Sequence, residues 1–362
     1  MKKNINIFFI FTLCLGFACS DDEDSNDDLG FDRAEMLVSL AENLIIPNFE
    51  SLQASVSNLQ VTVDNFVAST NENNLSSVRQ AWVEAVTDHQ HCSAFGFGPA
   101  DLALGSYASV LGVFPVSESK VESALNNPGF NLAGSFDRDL RGFYAVEYLI
   151  YGNGQTDAEL VAGFDQERKD YLTLITNELK TTFDGIVNEW NSSYLQEFIA
   201  SDGTSAGSSV SLLYNEFVKD YENLKNFKVE LPAGLTAGQE GADGTLVEAF
   251  YSGISRDLIV EHFENSKNIY LGMSRDGQEI VGFDEYLSSV TGGPELVTTT
   301  LESIDGIDSA INNLPTGRLS DQVEATELII LRDLLQDNTA NFKSSMSSLL
   351  GISITFNSGD GD

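Results

Sequence analysis

Helical periodicity dominates this 362-residue chain, and no stretch alternates apolar and polar residues between hairpin turn signals for long enough to predict a sheet. Two apolar stripes at helical spacing are Tyr171, Ile175, Leu179, Phe183, Ile186 and Leu246, Phe250, Ile254, Leu258, His262. Residues three or four apart lie on one face of a helix, and such faces are buried when helices pack in antiparallel bundles. The sequence therefore predicts an all-α protein.

Breaks in the periodicity predict how the helices are separated. The helices are expected at 32–52, 72–94, 137–151, 158–190, 208–227, 245–271, 295–313 and 320–350. The small-residue segment SDGTSAGSSV, residues 201–210, predicts a linker loop, and LPAGLTAGQEGADG separates two later helices. Residues 96–120 are rich in Gly and Pro, which indicates a long loop that either lines a site or only connects helices.

The first residues carry processing signals and not fold information. Lys2 and Lys3 precede an apolar run, residues 5–17, that is too short for a comfortable membrane span, so residues 1–18 are predicted to be a signal peptide. Cys19 follows Ala18 and resembles the acylated cysteine of a bacterial lipoprotein, although a plain secretory signal is the alternative. We therefore expect a protein of the cell envelope, held at the outer membrane by a lipid on Cys19, on its periplasmic or its outer face.

The rest of the chain divides by composition. Residues 19–30 are acidic and cannot bury enough surface to fold, so they predict a flexible tether, and they resemble the acidic export signals of some Gram-negative lipoproteins. An N-terminal helical bundle is expected at 31–200 and a C-terminal one at 211–356, with 201–210 as the linker between them. Residues 357–362 predict an acidic, frayed tail.

Charge and cysteine content limit the function. Acidic residues outnumber basic ones 55 to 19, and the net charge of -36 repels nucleic-acid phosphates, so nucleic acid is excluded as a partner. The same charge attracts cations without specificity and is not evidence for a metal site. Cys14 leaves with the signal peptide and Cys19 would be lipidated, which leaves Cys92 alone. The fold must then be stabilised by core packing and not by an internal disulfide.

The segment RGFYAVEYLIYG, residues 141–152, places a carboxylate on an apolar stripe. That stripe consists of Phe136, Leu140, Phe143, Glu147 and Ile150. A buried Glu147 needs a cation, hydrogen-bond donors or a proton, because desolvating a bare carboxylate costs several kcal/mol. Tyr144 lies one turn earlier and can face the same volume. The alternatives are a Glu147 paired with an Arg or Lys of another helix, or one partly exposed at the edge of the stripe.

A second cluster lies in WVEAVTDHQHCSAFGFGP, residues 82–99. His89 and Cys92 share the apolar face of that helix and could hold a soft metal, but two ligands do not make a site and core packing of both is favoured. His91 points elsewhere and is expected to be solvated, while His262 is expected to be a hydrogen-bonded histidine inside a bundle. No phosphate loop, Cys-x-x-Cys pair, nucleophile elbow or His-Glu-x-x-His motif is found.

RGFYAVEYLIYG resembles the signature of the imelysin family, Gly-x-His-x-x-Glu followed by apolar residues and a Gly. AWVEAVTDHQHCSAFGFGP resembles the family's helix that ends in a Phe-x-Phe-Gly-Pro turn, and VFPVS resembles its Trp-Pro-Val-Asp segment. AFYSGISRDL, NIYLG and GISITFNSGDGD are similar to segments of envelope lipoproteins in this family. The resemblance implies two helical-bundle-like halves with a site near their junction, around the helix of the signature, which we call the signature helix.

The family was first described as metallopeptidases and is associated with iron uptake in the envelope. Its signature carries over to Gly142 and Glu147, but Tyr144 takes the place of the His, and Ser93 and Ser117 stand where the family often has carboxylates. A zinc peptidase needs about three protein ligands and an open water position, and His is the commonest of them. Because a tyrosine phenolate suits ferric iron, the change favours iron over zinc.

We therefore predict a noncatalytic, imelysin-like envelope lipoprotein that binds a metal or small ligand, with iron as a candidate, in an uptake pathway with other envelope proteins. The candidate ligand residues are Tyr144, Glu147 and His89. The supporting residues are Gly142, Ser93, Ser117 and Cys92. The alternatives are a metallopeptidase that recruits distant carboxylates or His89 and His262, and a surface interaction module whose polar cluster is vestigial.

Overall fold

The computed structural model describes residues 30–127 and 130–356, and this part of the chain is mostly helical. In the first half the helices are α1 (Arg33–Leu40), α2 (Ile46–Ala68), α3 (Glu72–Gln90), α4 (Tyr107–Leu111), α5 (Glu118–Leu125), α6 (Gly142–Tyr151), α7 (Asp157–Ala162), α8 (Gln166–Glu189) and α9 (Leu195–Ile199). They are followed by α10 (Ser209–Asn223), α11 (Ser255–Tyr270), α12 (Phe283–Ser288), α13 (Gly293–Asn312), α14 (Thr326–Ala340) and α15 (Ser347–Leu349). The all-α prediction is confirmed.

Several helices contain or end in π-helical turns. These turns are Ala41–Ile45, Trp190–Tyr194, Leu224–Glu230 and Asn341–Met346. The only strands in the described ranges are β1 (Asp101–Leu102) and β2 (Gly105–Ser106), paired antiparallel with Asp101 opposite Ser106. This hairpin and the short helices α4 and α5 give structure to the segment 96–120 that the sequence predicts as a loop.

Polar residues next to the helix starts set where the helices begin. The side chain of Asp32 accepts from the backbone N–H of Glu35 at 3.0 Å, and that of Asn71 accepts from Asn74 at 3.0 Å. Each caps a backbone donor that would otherwise have no partner in the first turn. These caps explain why α1 and α3 begin where the sequence predicts.

The N-terminal part is built on α2, α3 and α8, which pack along each other, with α6 against α3 and α8. Three residues connect α2 to α3, so the second helix must run back along the first. The core between them is buried and combines aliphatic with aromatic side chains, and Trp82 Nε1 donates to the Phe143 carbonyl of α6 at 2.8 Å. This contact fixes the signature helix on the bundle.

The C-terminal part packs α13 on α14, and α14 on the π turn 224–230 that continues α10. The aromatic side chains of Tyr214, Phe217 and Phe342 are buried there, and Tyr214 packs edge-on against Phe283. Helix α11 contacts α3, and α1 contacts α9 and α10, so the two parts share an interface. The division at 201–210 remains a prediction.

The predicted linker is an ordered turn. Ser209 N donates to Ser201 O at 2.8 Å, and Arg33 Nε donates to Asp202 O at 2.9 Å. Helix α10 begins at Ser209, within the segment predicted as loop. Small residues here allow a compact turn that the rest of the chain holds in place.

Several helix boundaries were predicted wrongly. Helix α6 begins at Gly142 and not at residue 137, so Leu140 and the 82% exposed Phe136 precede the helix on whose stripe they were placed. Helix α2 continues to Ala68, and a break at 163–165 separates α7 from α8. Helix α11 begins at Ser255, because the chain turns through Ala249 at φ +53° and Gly253 at φ +79°. Leu246 and Phe250 therefore do not share a helix with Leu258, although their spacing fits one.

The remaining predictions about the chain ends lie outside the described residues. These are the signal peptide 1–18, the lipidation of Cys19, the tether up to residue 29 and the tail 357–362. Within the described ranges, no helix has both the length and the apolar character needed to cross a bilayer.

Candidate functional site

The signature helix α6 begins at a position that only glycine fits. Gly142 has φ +73°, and a Cβ at this residue would collide with the carbonyl oxygen of Leu111 at the end of α4. Every residue from Gly142 to Ile150 is buried. The helix is therefore enclosed on all sides, and its one carboxylate lies inside the protein.

Glu147 is 1% exposed, and no cationic side chain of the described chain pairs with it. Its Oε1 accepts from the backbone N–H of Ser252 at 2.7 Å. Burial raises the pKa of Glu147 to about 7, although hydrogen bonds from Ser252 and Tyr251 oppose the rise. The pairing with an Arg or Lys of another helix that the sequence left open is therefore not found, nor is exposure at the edge of the stripe.

Tyr144 is also buried, but its hydroxyl donates to Oε1 of Glu248, from the turn before α11, and not to Glu147. Burial and the nearby Glu248 carboxylate raise the pKa of the Tyr144 phenol well above its ordinary value. The neutral phenol is therefore the stable form here. The ferric phenolate that the sequence suggested would require Glu248 to release the hydroxyl.

Tyr144 and Glu147 line one cavity of about 500 Å³, which we call the signature cavity. Its wall comprises Phe114, Pro115, Val116, Glu118, Tyr144, Glu147, Asn153, Thr245, Val247, Ala249, Phe250 and Tyr251. Among the described residues, the wall contains two carboxylates and no Lys, Arg or His. Its electrostatic character is therefore that of a site for positive charge.

A second cavity of about 320 Å³ lies beside it, where α3, α10 and α11 meet, and we call it the junction cavity. Its polar wall includes His89, Gln90, Ser93, Glu216, Lys219, Asp220, Lys228, Glu248 and His262. Phe114 lines both cavities, and the hydrogen bond from Tyr144 to Glu248 joins the wall of one to the wall of the other. The two cavities are thus neighbours.

Charges in the junction cavity are paired. Lys228 Nζ lies 2.9 Å from Glu248 Oε2 and also donates to Gln90 Oε1, while Gln90 Nε2 donates to Glu248 Oε1 at 3.2 Å. All three side chains are buried. The π turn 224–230 presents Lys228 to this network, and π turns are frequent at functional positions.

Asp220 is the centre of a second buried network. Its Oδ2 lies 2.8 Å from His262 Nε2 and accepts from Ser93 Oγ at 2.8 Å. Burial alone would raise the pKa of Asp220, but the interactions with His262, Ser93 and Lys228 hold it below its ordinary value. The prediction that His262 is a hydrogen-bonded histidine inside the bundle is confirmed.

His89 packs in the wall of the junction cavity. Its ring stacks on Phe143 at 4.8 Å and its Nδ1 lies 3.3 Å from the Tyr107 hydroxyl. Burial lowers the pKa of His89 to about 3, so the imidazole is neutral. Cys92 is also buried, and burial raises the pKa of its thiol. The expected core packing of this pair is confirmed.

His91 was predicted to be solvated, but the structure places it partly buried in an ion pair. Its side chain is 17% exposed, and Nε2 lies 2.9 Å from Glu261 Oε2 on α11. Ser117 lies at the start of α5, with its hydroxyl 3.3 Å from that of Ser119, and it lines neither cavity. Gly142 and Cys92 are packed in the protein interior, and they also line neither cavity.

The predicted residues therefore divide between two places. Tyr144 and Glu147 share the signature cavity, whereas His89 and Ser93 lie on the junction cavity. Within residues 30–127 and 130–356, no group of three or more His, Cys, Asp or Glu side chains is placed to hold a metal ion. The polar residues that sequence reasoning missed are Glu118, Asp220, Lys228 and Glu248. Of these only Asp220 had a local signal, since it follows Phe217 by three residues on an apolar stripe.

The fold and these cavities define a helical protein with neighbouring pockets, lined by apolar and buried polar side chains, where two groups of helices meet. A model of the imelysin family (Peptidase M75) matches residues 45–346. The chain therefore belongs to the imelysin family. Iron-regulated protein A of Synechococcus elongatus is 21% identical over 296 residues, which cover 76% of this chain and 77% of the relative.

Two solved structures share the fold. A protein described as an iron-regulated protein A precursor from Parabacteroides distasonis superposes with a TM-score of 0.73 and 19% identity, covering 88% of this chain and 95% of its own. An imelysin-like protein from Psychrobacter arcticum gives a TM-score of 0.71 and 18% identity, covering 90% and 97%. The imelysin-like fold that the signature implied is thus confirmed.

Proposed function

We propose that this protein is a noncatalytic, lipid-anchored protein of the cell envelope that binds a cationic ligand in the signature cavity. The observation that carries the proposal is Glu147, a carboxylate 1% exposed that faces a cavity and has no cationic partner in the described chain. A buried carboxylate without a countercharge is costly, and a bound cation would remove that cost. Glu118 adds a second carboxylate to the same wall.

Proton exchange would accompany binding. Because burial raises the pKa of Glu147 to about 7, part of its population is protonated at neutral pH. A cation stabilises the carboxylate form, so its binding releases the proton from the protonated molecules. Binding should therefore strengthen as the pH rises from 6 to 8.

Iron is the metal to test first, because the Synechococcus and Parabacteroides relatives are described as iron-regulated protein A. The described residues do not form a complete ligand set for iron or for zinc. A metal would therefore have to bring ligands of its own, as in a soluble chelate, with Glu147 contributing charge and one coordination position. Zinc, which prefers His and Cys ligands, is the less favoured metal.

A metallopeptidase is not favoured by this geometry. The sequence left open a set recruited from His89 and His262, and both line the junction cavity. However, His89 is packed on Phe143 and His262 is engaged by Asp220. Neither histidine is free to combine with Glu147 of the other cavity, so a ligand-binding role is the simpler conclusion.

The location and partners belong to the same proposal. Cys19, following the apolar run 5–17, supports a lipid anchor at the outer membrane, and a role in iron uptake would bring other envelope proteins as partners. Replacing Cys19 with serine should move the protein from the membrane fraction to the soluble fraction. Fractionation that leaves the Cys19→Ser variant with the membrane would reject the anchor.

The ligand proposal is tested by calorimetric titration of the protein lacking its predicted signal peptide with Fe(III)-citrate, Fe(II) and Zn(II). We expect stoichiometric binding that is lost in Glu147→Gln and kept in Glu302→Gln, which changes an exposed carboxylate of α13. If every cation tested, organic cations included, binds only as the weak, salt-sensitive background of an acidic surface, the proposal fails. A surface interaction module then becomes the leading function.

A further inference from the structure

The walls of the signature cavity are aromatic as well as acidic. Phe114 packs edge-on against Tyr144 with ring centroids 5.4 Å apart, and Phe250 packs edge-on against Tyr251 at 5.2 Å. All four rings line the cavity. Aromatic faces attract cations through the ring quadrupole and also accept apolar groups.

The two carboxylates have acceptor capacity left for a ligand. Glu118 Oε1 accepts from the Tyr251 hydroxyl at 2.9 Å and from Asn153 Nδ2 at 3.1 Å, whereas Oε2 accepts from neither. Within the described residues, Glu147 accepts hydrogen bonds only from Tyr251 and Ser252. No basic side chain of the residues that the structure describes lines the cavity to compete for them.

Metal coordination makes use of only part of this wall. The faces of the four rings offer a metal ion no strong ligand, and the described residues contain no group of three or more His, Cys, Asp or Glu side chains that could hold one. An ammonium group on an alkyl chain uses both parts, because its N–H groups donate to carboxylates while its carbon chain packs on the rings. The wall is therefore more complementary to an organic cation than to a bare ion.

We propose that the signature cavity binds a primary alkylammonium group, carried by a free amine or by a lysine side chain, between Glu118, Glu147 and the four aromatic rings. This inference rests on the proposed function and narrows its ligand class. The volume of about 500 Å³ is that of a small-molecule site, and it suits one such group with its alkyl chain.

The test is calorimetric titration of the protein lacking its predicted signal peptide with n-butylamine, cadaverine and Nα-acetyl-lysine methylamide, beside n-butanol and Fe(III)-citrate. We expect the amines to bind and butanol not to bind. The affinity should fall about tenfold or more in Glu147→Gln and in Glu118→Gln, and stay unchanged in Glu302→Gln. Glu118 is less buried than Glu147, so its variant tests the site even if Glu147→Gln does not fold.

A second readout is proton release. At pH 7, titrations in buffers of different ionisation enthalpy should show net proton release on amine binding, and none in Glu147→Gln. Stronger binding of the lysine derivative than of the free amines would identify a lysine side chain as the source of the ammonium group. Stronger binding of the free amines would identify a free amine as the ligand. Iron binding that depends on Glu147 without any amine binding would overturn this inference and keep the proposed function. Absence of both would reject the two together.

Discussion

The two neighbouring cavities differ in whether their buried carboxylates have a cationic partner. In the junction cavity Glu248 pairs with Lys228 at 2.9 Å and Asp220 with His262 at 2.8 Å. In the signature cavity Glu147 is as deeply buried, but within the described part of the chain its hydrogen-bond donors are neutral. The comparison teaches that burial of a charged group is not in itself a sign of function. A missing countercharge is the better sign, because no cationic side chain then offsets the free-energy cost of burying the carboxylate.

The difference also separates the roles of the two cavities. A buried pair loses several kcal/mol of stability when one partner is removed, because the other is left uncompensated. A lone buried carboxylate already carries that penalty, so removing its charge should not destabilise the fold. The following variants test this contrast, from the largest expected effect to the smallest.

Lys228→Met should cause the largest loss of stability. It leaves Glu248 buried without its cation and Gln90 without a donor, so the free energy of unfolding should fall by about 3–5 kcal/mol. The free energy of unfolding is measured by urea denaturation, with circular dichroism as the signal. The matched control is Lys180→Met, which removes a half-exposed pair with Asp184 and should cost less than about 1 kcal/mol. Equal losses in the two variants would contradict the paired network.

Glu147→Gln should change the pH dependence of stability. In the wild type the pKa is about 7 in the folded state against 4.5 unfolded, so the native state holds the proton more tightly. This contribution is fully present below pH 4.5 and is lost as the pH rises through 7, an effect of about 3 kcal/mol. The variant should lack this decline in urea denaturation between pH 4.5 and 8. A variant that is several kcal/mol less stable at pH 8 would indicate an ion pair at Glu147.

Tyr144→Phe should have an intermediate effect. It removes the hydrogen bond to Glu248 that joins the walls of the two cavities, and a bond to a charged group contributes about 2 kcal/mol. Thermal unfolding should show the loss, with Tyr194→Phe as a less buried tyrosine control of little effect. Cation binding should weaken less than in Glu147→Gln. Complete loss of binding would make the Tyr144 hydroxyl a direct ligand.

Ser93→Ala should have the smallest effect, about 1 kcal/mol, because the Ser93 hydroxyl is shared between Asp220 Oδ2 and the Gln90 carbonyl, and Asp220 keeps its pairing with His262. The hydrogen bond from Ser93 helps to lower the pKa of Asp220, so its stabilising contribution is present above the unfolded pKa and lost as the pH falls through the folded one. In the variant this acid transition should move to higher pH in denaturation curves. Ser77→Ala, on the exposed face of α3, should leave it in place.

Local patterns predicted the parts of the site that depend on one helix. The helical part of the stripe, Phe143 and Ile150, favoured burial of Glu147, whereas Phe136 of the same stripe is exposed and lies before the helix. The stripe through His89 and Cys92 predicted that both pack inward. The partners of these residues could not be predicted in the same way. Tyr144 bonds a residue 104 positions later, and Lys228 reaches Gln90 across 138 positions. Such contacts depend on how helices meet and leave no periodic trace.

The sequence by itself determined the all-α class and the burial of Glu147, because helical period and apolar spacing are local properties of the chain. It also carried the imelysin signature, with Tyr144 in the place of His. Only the tertiary structure decided that Tyr144 donates to Glu248, that Lys228 pairs with Glu248, and that Glu147 has no cationic partner among residues 30–127 and 130–356. The physical reason is that a buried charge is compensated by whatever side chain the packing brings within a few ångströms, and sequence distance places no limit on that.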